Sequence, residues 1–117
     1  MSPMPKRDIR MGAKEIDDFL SHCEVVAVGA VDADGWPTAT LSHCEFRNGA
    51  LLLRLDSTDP VALSAVATQQ LCCVADEHPS YYEIRGVIVH GRPSFFDKSV
   101  RVDIERRSGF DFGKLQR

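Results

Sequence analysis

Residues 25–55 read VVAVGAVDADGWPTATLSHCEFRNGALLLRL, and this stretch decides the fold that the sequence predicts. Two turn signals divide it, Asp34-Gly35 and Asn48-Gly49. Both dipeptides favour the positive backbone φ angles that tight β-hairpins require. The stretch is therefore predicted to form three antiparallel strands with a long middle strand, namely Val25–Val31, Pro37–Arg47 and Ala50–Leu55.

The three strands differ in how their apolar residues are arranged. The first is apolar throughout, which predicts that both of its faces are covered by other parts of the protein or by a partner. The third alternates three leucines with a more polar set, so Leu51, Leu53 and Leu55 are expected to be buried. The middle strand carries polar side chains on both faces, which indicates a role beyond core packing.

Two helices are predicted on either side of these strands. An amphipathic helix is expected over Ile9–Ser21, with Asp8 as its N-cap. Downstream, Asp59 followed by Pro60 has the pattern of an N-cap and a first helical residue, which predicts a short helix ending near Thr68.

Three further strands complete the expected fold, Leu71–Ala75, Tyr82–Arg92 and Val100–Ile104. In the second of these, His90 shares a face with two isoleucines, so we expect it to be a hydrogen-bonded histidine in the core. Two short helices and six short strands at hairpin spacing predict a mainly β protein, a small antiparallel barrel.

Size and charge narrow the possible functions. The 117 residues predict one domain, residues 1–117, in which residues 1–7 form a loose arm. A net charge of −3 lacks the basic excess that binds nucleic acid. No apolar run approaches the ~20 residues of a membrane span, and the N-terminus does not have the pattern of a secretory signal. The sequence therefore predicts a cytoplasmic protein.

The cysteines and histidines are candidate ligands of a metal ion. The four cysteines contain no Cys-x-x-Cys pair and are expected to be small buried hydrophobes, namely Cys23, Cys44, Cys72 and Cys73. The tetrapeptide Ser-His-Cys-Glu occurs twice, at 21–24 and 42–45. In the second copy, His43 and Cys44 are neighbours on a strand and point to opposite faces, so they cannot easily bind one ion. We therefore predict no metal site.

Four motifs follow one another along the chain. They are Phe19-Leu20 with the strand that leads into Val31–Pro37, the strand–helix junction after Leu55, YEIRGVIVHGR at 82–92, and GFDFGK at 109–114. In this order they resemble the split-barrel flavoproteins related to pyridoxamine 5′-phosphate oxidase. The resemblance covers nearly the whole chain from residue 13. It implies a six-stranded antiparallel split β-barrel with two short helices.

The resemblance also implies a function. Members of this family are homodimers that bind flavin mononucleotide (FMN) in a cleft between the subunits and act as oxidoreductases on small molecules. Some relatives use a deazaflavin, and others bind haem. In such proteins the cofactor carries the chemistry while the protein binds and orients it. No side chain of this sequence is identified as catalytic.

The cofactor site implied by the resemblance draws on several segments. The phosphate is expected near Arg54, Ser57 and Thr58, and Lys114 could add positive charge. The flavin ring is expected near the middle strand, Pro37–Arg47, of one subunit. It is also expected near two aromatic residues of the partner subunit, Tyr82 and Phe112. The residues implied for the ring are Thr38, Thr40, Leu41, Ser42, Tyr82 and Phe112.

Two further hypotheses stay open beside the flavin enzyme. The family has a basic pair at the start of the second helix, where this sequence has Asp59 and Pro60. An acidic side chain repels a phosphate dianion, which favours a cofactor-free relative that binds or transforms a small ligand in the same cleft. The third hypothesis is haem binding through His43, which lies where the family contacts flavin; its alternative is an ordinary surface histidine.

Overall fold

The computed structural model describes residues 8–80 and 83–115, so the predictions for residues 1–7 and for Tyr82 lie outside the described residues. Six strands form a closed antiparallel barrel in the order β1-β2-β3-β6-β5-β4. The predicted six-stranded barrel with two helices is therefore confirmed. The elements are α1 (Ala13–Ser21), β1 (Val25–Val31), β2 (Pro37–Arg47), β3 (Ala50–Leu53), α2 (Pro60–Thr68), β4 (Leu71–Glu77), β5 (Arg85–Phe95), β6 (Val100–Asp111) and a short 3-10 helix (Phe112–Leu115).

Both predicted hairpin turns are present. Gly35 has a φ of 86°, while Asn48 and Gly49 have φ values of 50° and 76°. The first turn is held by the Asp32 carboxylate, which accepts hydrogen bonds from the Asp34 and Trp36 N–H groups at 2.9 Å each. The register of β1, β2 and β3 follows directly from these two turns.

The core lies inside the barrel, and each strand contributes alternate residues to it. Leu51, Leu53 and Leu55 are buried, as their alternation predicts. Helix α1 contributes Ile16 and Leu20. The other core residues include Val26, Val28, Val61, Ala65, Val87, Val89, Val100 and Val102.

Helix α2 begins where the sequence predicts. Asp59 has an extended backbone, and its carboxylate accepts a hydrogen bond from the Val61 N–H at 2.9 Å. Pro60 is the first helical residue, a position that needs no N–H donor. Neither described helix is long and apolar enough to cross a membrane.

The predicted start of the first helix is wrong. Helix α1 begins at Ala13, after Gly12, and Asp8 is not its cap. Instead, the residues before the helix lie beside β6: the Met11 N–H donates to the Gly109 carbonyl at 2.9 Å, and the Ile9 carbonyl accepts from the Asp111 N–H at 2.8 Å. These hydrogen bonds use the backbone groups that an earlier helix start would require.

Several predicted strand ends are also wrong. β5 runs over Arg85–Phe95 and β6 over Val100–Asp111, because the two strands pair from Arg85 opposite Asp111 to Phe95 opposite Val100. β4 extends to Glu77, and β3 stops at Leu53. This pairing depends on contacts between distant residues, and the local alternation of the sequence does not contain it.

His90 is exposed and does not belong to the core. Val87, Ile88 and Val89 are consecutive, so the sequence offers apolar residues on both faces of β5. The barrel places Val87 and Val89 inside, which turns His90 outward. The prediction of a core histidine is therefore wrong.

Candidate functional site

A concave cavity of about 550 Å³ brings together two residues that the sequence analysis singled out, His43 and Arg54. His43 lies on the outer side of β2, and Arg54 follows the end of β3. Their backbones are linked, since the Arg54 N–H donates to the His43 carbonyl at 3.1 Å. We call this space the Arg54 cavity; its lining is Glu24, His43, Cys44, Glu45, Leu52, Leu53, Arg54 and Ser99.

Arg54 has no carboxylate partner among the residues that the structure describes. Among the arginines of residues 8–80 and 83–115, only Arg54 and Arg106 lack an ion pair; each of the others contacts an aspartate or glutamate. Glu45, which shares the cavity with Arg54, is paired with Arg47 at 2.6 Å. An exposed guanidinium without an acidic partner can offer its N–H groups to an external anion.

The start of α2, where the phosphate was expected, is occupied by the chain's own carboxylates. The Thr58 hydroxyl and N–H donate to the Asp56 carboxylate at 2.8 and 3.0 Å. These hydrogen bonds lower the pKa of Asp56, which therefore stays ionised. The Ser57 N–H donates to the Asp97 carbonyl. A phosphate would meet the carboxylates of Asp56 and Asp59 here. Of the three residues predicted to bind the phosphate, Arg54 alone offers it a positively charged group.

The residues expected to contact the flavin ring are divided between the two faces of β2. Leu41 points outward and is 73% exposed. Thr38, Thr40 and Ser42 lie on the opposite face, and the buried Ser42 hydroxyl donates to the His43 carbonyl at 2.8 Å. Thr38 lines a separate cavity of about 540 Å³ together with His90 and Arg106. Within one chain, Leu41 is therefore the predicted ring residue that lies on the same face as His43.

The two predicted residues near the C-terminus lie in the 3-10 helix and do not line the Arg54 cavity. Phe112 packs edge-on against Phe110, with ring centroids 5.6 Å apart. Lys114 lines a cavity of about 780 Å³, where its ammonium group donates to the Arg10 carbonyl at 2.7 Å and to Glu15 at 2.9 Å. This cavity is strongly acidic; its carboxylates are Glu15, Asp18, Glu24, Asp76, Glu77 and Asp111. The positive charge of Lys114 is thus already neutralised by Glu15.

An exposed apolar strip lies beside the Arg54 cavity. On the outer face of the barrel, Ala27 of β1 pairs with Leu41 of β2 and with Val74 of β4, while Val25 pairs with His43. Val25, Leu41 and Val74 are 44%, 73% and 37% exposed. We call Val25, Ala27, Leu41 and Val74 the apolar strip. The inner face of β1 is buried, whereas its outer face, which includes Val25 and Ala27 of the strip and also Val31, remains at least partly uncovered in a single chain.

The sequence analysis missed part of the cavity lining. Ser99 reaches the Arg54 cavity because Val100, the next residue, pairs with Leu53 across the β3–β6 ladder. This pairing has no local sequence signal. Among the described residues, no group of three or more histidine, cysteine, aspartate or glutamate side chains is arranged to hold a metal ion. The alternative of a Ser-His-Cys-Glu metal site therefore gains no support.

Comparison with solved structures shows which proteins share this barrel. A conserved hypothetical protein from Mycobacterium tuberculosis has a TM-score of 0.82 and 17% identity, and the match covers 98% of this chain and 94% of that one. An FAD-binding protein from Mesorhizobium loti has a TM-score of 0.77 and 16% identity, covering 87% and 96%. An FAD-binding protein from Mycobacterium smegmatis has a TM-score of 0.74 and 20% identity, covering 87% and 95%.

The same fold is also found in proteins with other named roles. They include a candidate pyridoxamine 5′-phosphate oxidase from Corynebacterium glutamicum, a haem storage protein from Vibrio cholerae and an F420 reductase, with TM-scores of 0.73, 0.69 and 0.66. No protein-family model matches the sequence, and no curated protein is significantly similar to it. At these low identities the likeness establishes the split-barrel fold, as the sequence motifs predict.

Proposed function

We propose that this split barrel binds a flavin or a deazaflavin in the Arg54 cavity and acts as an oxidoreductase on a small molecule. The observation that carries the proposal is Arg54, which forms no ion pair within residues 8–80 and 83–115 and lies in a concave cavity beside His43 and the apolar strip. Flavin cofactors combine an anionic phosphate with a large aromatic ring. FAD-binding proteins and an F420 reductase among the structural neighbours support this choice of ligand.

Four residues of the chain would contact different parts of such a ligand. The Arg54 guanidinium would bind the phosphate through charged hydrogen bonds. Leu41 and Leu52 would pack against the ring and exclude water from it. His43 would present one ring nitrogen as a hydrogen-bond donor at the edge of the ligand. The bound cofactor would supply hydride transfer, which none of these side chains can perform.

The proposal predicts that Arg54→Gln weakens FMN binding by about tenfold or more, because a hydrogen bond to a charged group contributes ~1.5–3 kcal/mol. Binding is measured by fluorescence titration of FMN. The control is Arg106→Gln, which removes the other arginine without an ion pair from a different cavity. Equal affinities for Arg54→Gln and the unaltered protein would refute the assignment of Arg54. If the unaltered protein retains neither FMN nor a deazaflavin, the flavin proposal is refuted.

We further propose that the protein is a homodimer that covers the apolar strip. Leu41 and its neighbours expose a continuous apolar surface next to the Arg54 cavity, and burying one leucine side chain contributes ~1.5–3 kcal/mol. Such a partner would also cover the outer face of β1. The second subunit would then close the cavity, in agreement with the cleft implied by the family resemblance.

Leu41→Lys is expected to convert the dimer into a monomer, because a lysine charge cannot be buried in an apolar interface without a partner. Light scattering after size-exclusion chromatography measures the mass. Leu63→Lys is the control, since Leu63 is 58% exposed on α2 and does not belong to the strip. A monomeric unaltered protein, or a dimer that survives Leu41→Lys, would contradict the proposed interface.

Specific observations support the two other hypotheses, a cofactor-free relative and a haem-binding protein. The carboxylates of Asp56 and Asp59 at the start of α2 favour a cofactor-free relative, since they take up the donors that a phosphate would use. His43 is exposed in the Arg54 cavity, and a haem storage protein has the same fold. A visible absorption spectrum distinguishes the three: a flavin band, a Soret band, or neither after incubation with each cofactor.

A further inference from the structure

The two copies of Ser-His-Cys-Glu meet through their cysteines. Cys23 follows α1, and Cys44 lies on β2, 21 residues later in the chain. The Cys44 N–H donates to the Glu24 carbonyl at 2.9 Å, which fixes the end of β2 against the segment that contains Cys23. The Cys44 thiol donates to the Cys23 carbonyl oxygen at 3.5 Å, and the Cys23 thiol donates to the Val25 carbonyl oxygen at 3.2 Å.

Neither thiol is fully buried, contrary to the expectation that all four cysteines are buried hydrophobes. Cys23, Cys44 and Cys72 are half-buried, and only Cys73 lies in the core. Cys23 lines the acidic cavity of about 780 Å³, and Cys44 lines the Arg54 cavity. A small reagent such as hydrogen peroxide can therefore approach the pair from either side.

The closeness of the two side chains distinguishes their acidities. The neighbouring Cys44 side chain lowers the pKa of Cys23 to about 7, despite burial and the nearby carboxylates of Asp76 and Glu77. The neighbouring Cys23 side chain, together with burial, raises the pKa of Cys44. Cys23 is therefore the more acidic of the two thiols. Burial alone raises the pKa of Cys72.

We propose that Cys23 and Cys44 form a redox site in which hydrogen peroxide converts the two thiols into an intramolecular disulfide, with Cys23 as the nucleophile and Cys44 as the resolving thiol. The site does not depend on the flavin proposal, because the oxidant is peroxide. It lies in the wall between the acidic cavity and the Arg54 cavity, and Glu24 lines both.

The chemistry proceeds in two steps. The Cys23 thiolate attacks one oxygen of hydrogen peroxide, the O–O bond breaks, and hydroxide leaves, so Cys23 becomes a sulfenic acid. The sulfur of Cys44 then attacks the Cys23 sulfur and forms the S–S bond, while the hydroxyl group leaves with the Cys44 proton as water. In total, two thiols and one peroxide give one disulfide and two waters. A thiol reductant reverses the reaction through thiol–disulfide exchange.

The test treats the reduced full chain with hydrogen peroxide and identifies the product by mass spectrometry. Cleavage after glutamate separates the cysteines, because Cys23 falls in peptide 16–24 and Cys44 in peptide 25–45. The expected product is these two peptides joined by a disulfide, lighter than their sum by two hydrogens. Cys72→Ser is the matched control and should give the same product.

Two variants separate the roles of the thiols. Cys44→Ser should stop at the sulfenic acid on Cys23, which dimedone traps, whereas Cys23→Ser should give no trapped product at residue 44. A peroxide product that links other cysteines, or that forms only between chains, would overturn the proposal. Reaction of Cys44 in the absence of Cys23 would overturn the assigned roles.

A measurement on the unaltered protein complements the variants. The rate of alkylation of Cys23 by iodoacetamide should rise with pH around a midpoint near 7, because the thiolate reacts and forms above the pKa of the thiol. An ordinary midpoint near ~8.5 would contradict the assignment of Cys23 as the nucleophile. The charged groups that line the acidic cavity around Cys23 include Asp18, His22, Glu24, Asp76, Glu77 and Arg85.

Discussion

Gly91→Ala is expected to lower the free energy of unfolding by about 3 kcal/mol, the upper end of the usual cost of overpacking. A Cβ at position 91 would lie 2.4 Å from the Asp103 carbonyl oxygen and 2.7 Å from a methyl group of Val102. The oxygen belongs to β6, which pairs with β5 on both sides of a register shift between His90 and Gly91. Moving the backbone away would therefore disturb the pairing of the flanking residues. Urea unfolding measures the loss.

Gly29→Ala is the matched control for this prediction. Gly29 also lies in a strand, β1, but a Cβ there would come no closer than 3.7 Å to any neighbouring atom. Alanine should be neutral or slightly stabilising at this site, since glycine in a strand costs conformational entropy. Equal urea midpoints for Gly91→Ala and Gly29→Ala would contradict the close approach of β5 and β6.

Leu51→Ala is expected to destabilise the barrel by about 3 kcal/mol, within the ~2–5 kcal/mol found for buried leucines. Leu51 is 0% exposed and lies in β3 with its side chain inside the barrel. The substitution removes buried apolar surface and leaves a cavity that the other strands of the barrel cannot easily fill. The urea midpoint should fall, with an unchanged dependence of the unfolding free energy on urea concentration.

The control for Leu51→Ala is Leu63→Ala. Leu63 is 58% exposed on α2, so its truncation should change the stability by no more than ~0.5 kcal/mol. A comparable loss in both variants would show that Leu51 does not occupy the centre of the core.

The two proposed functions of the Arg54 region can be tested independently. Flavin binding depends on Arg54 and the outer face of β2. The redox site depends on two thiols, and one of them, Cys44, lines the same cavity. If Arg54→Gln weakens FMN binding while the Cys23–Cys44 disulfide still forms, the two properties are separate. If oxidation of the thiols also changes FMN affinity, the redox state would regulate the cofactor site.

Local sequence signals predicted much of the barrel. The two hairpin turns depend on the positive φ angles of Gly35, Asn48 and Gly49, which their own chemistry favours. The start of α2 depends on the Asp59 cap and on Pro60. The buried face of β3 follows from the leucines at every second position, Leu51 and Leu53, which continue to Leu55. Each of these features involves residues only a few positions apart.

The candidate site was only partly predictable. The sequence singled out Arg54, His43 and Leu41, but it could not show that Thr58 donates to Asp56 or that Lys114 pairs with Glu15. It also could not show which arginines lack ion pairs, because several arginine partners are distant in sequence: Arg107 contacts Asp17, and Arg92 contacts Glu105. The electrostatics of the site therefore depend on the closed barrel.

By itself, the sequence determined the hairpins, the capped helix, the alternating core strand and, through its motifs, the split-barrel fold. Only the tertiary structure decided that His90 faces outward, that Gly91 lies against β6 and that Cys23 contacts Cys44. The physical reason is the range of the interactions. Turns and caps are stabilised by neighbours in sequence, whereas the pairing of β5 with β6 and the contact between the Cys44 thiol and the Cys23 carbonyl require the barrel to close.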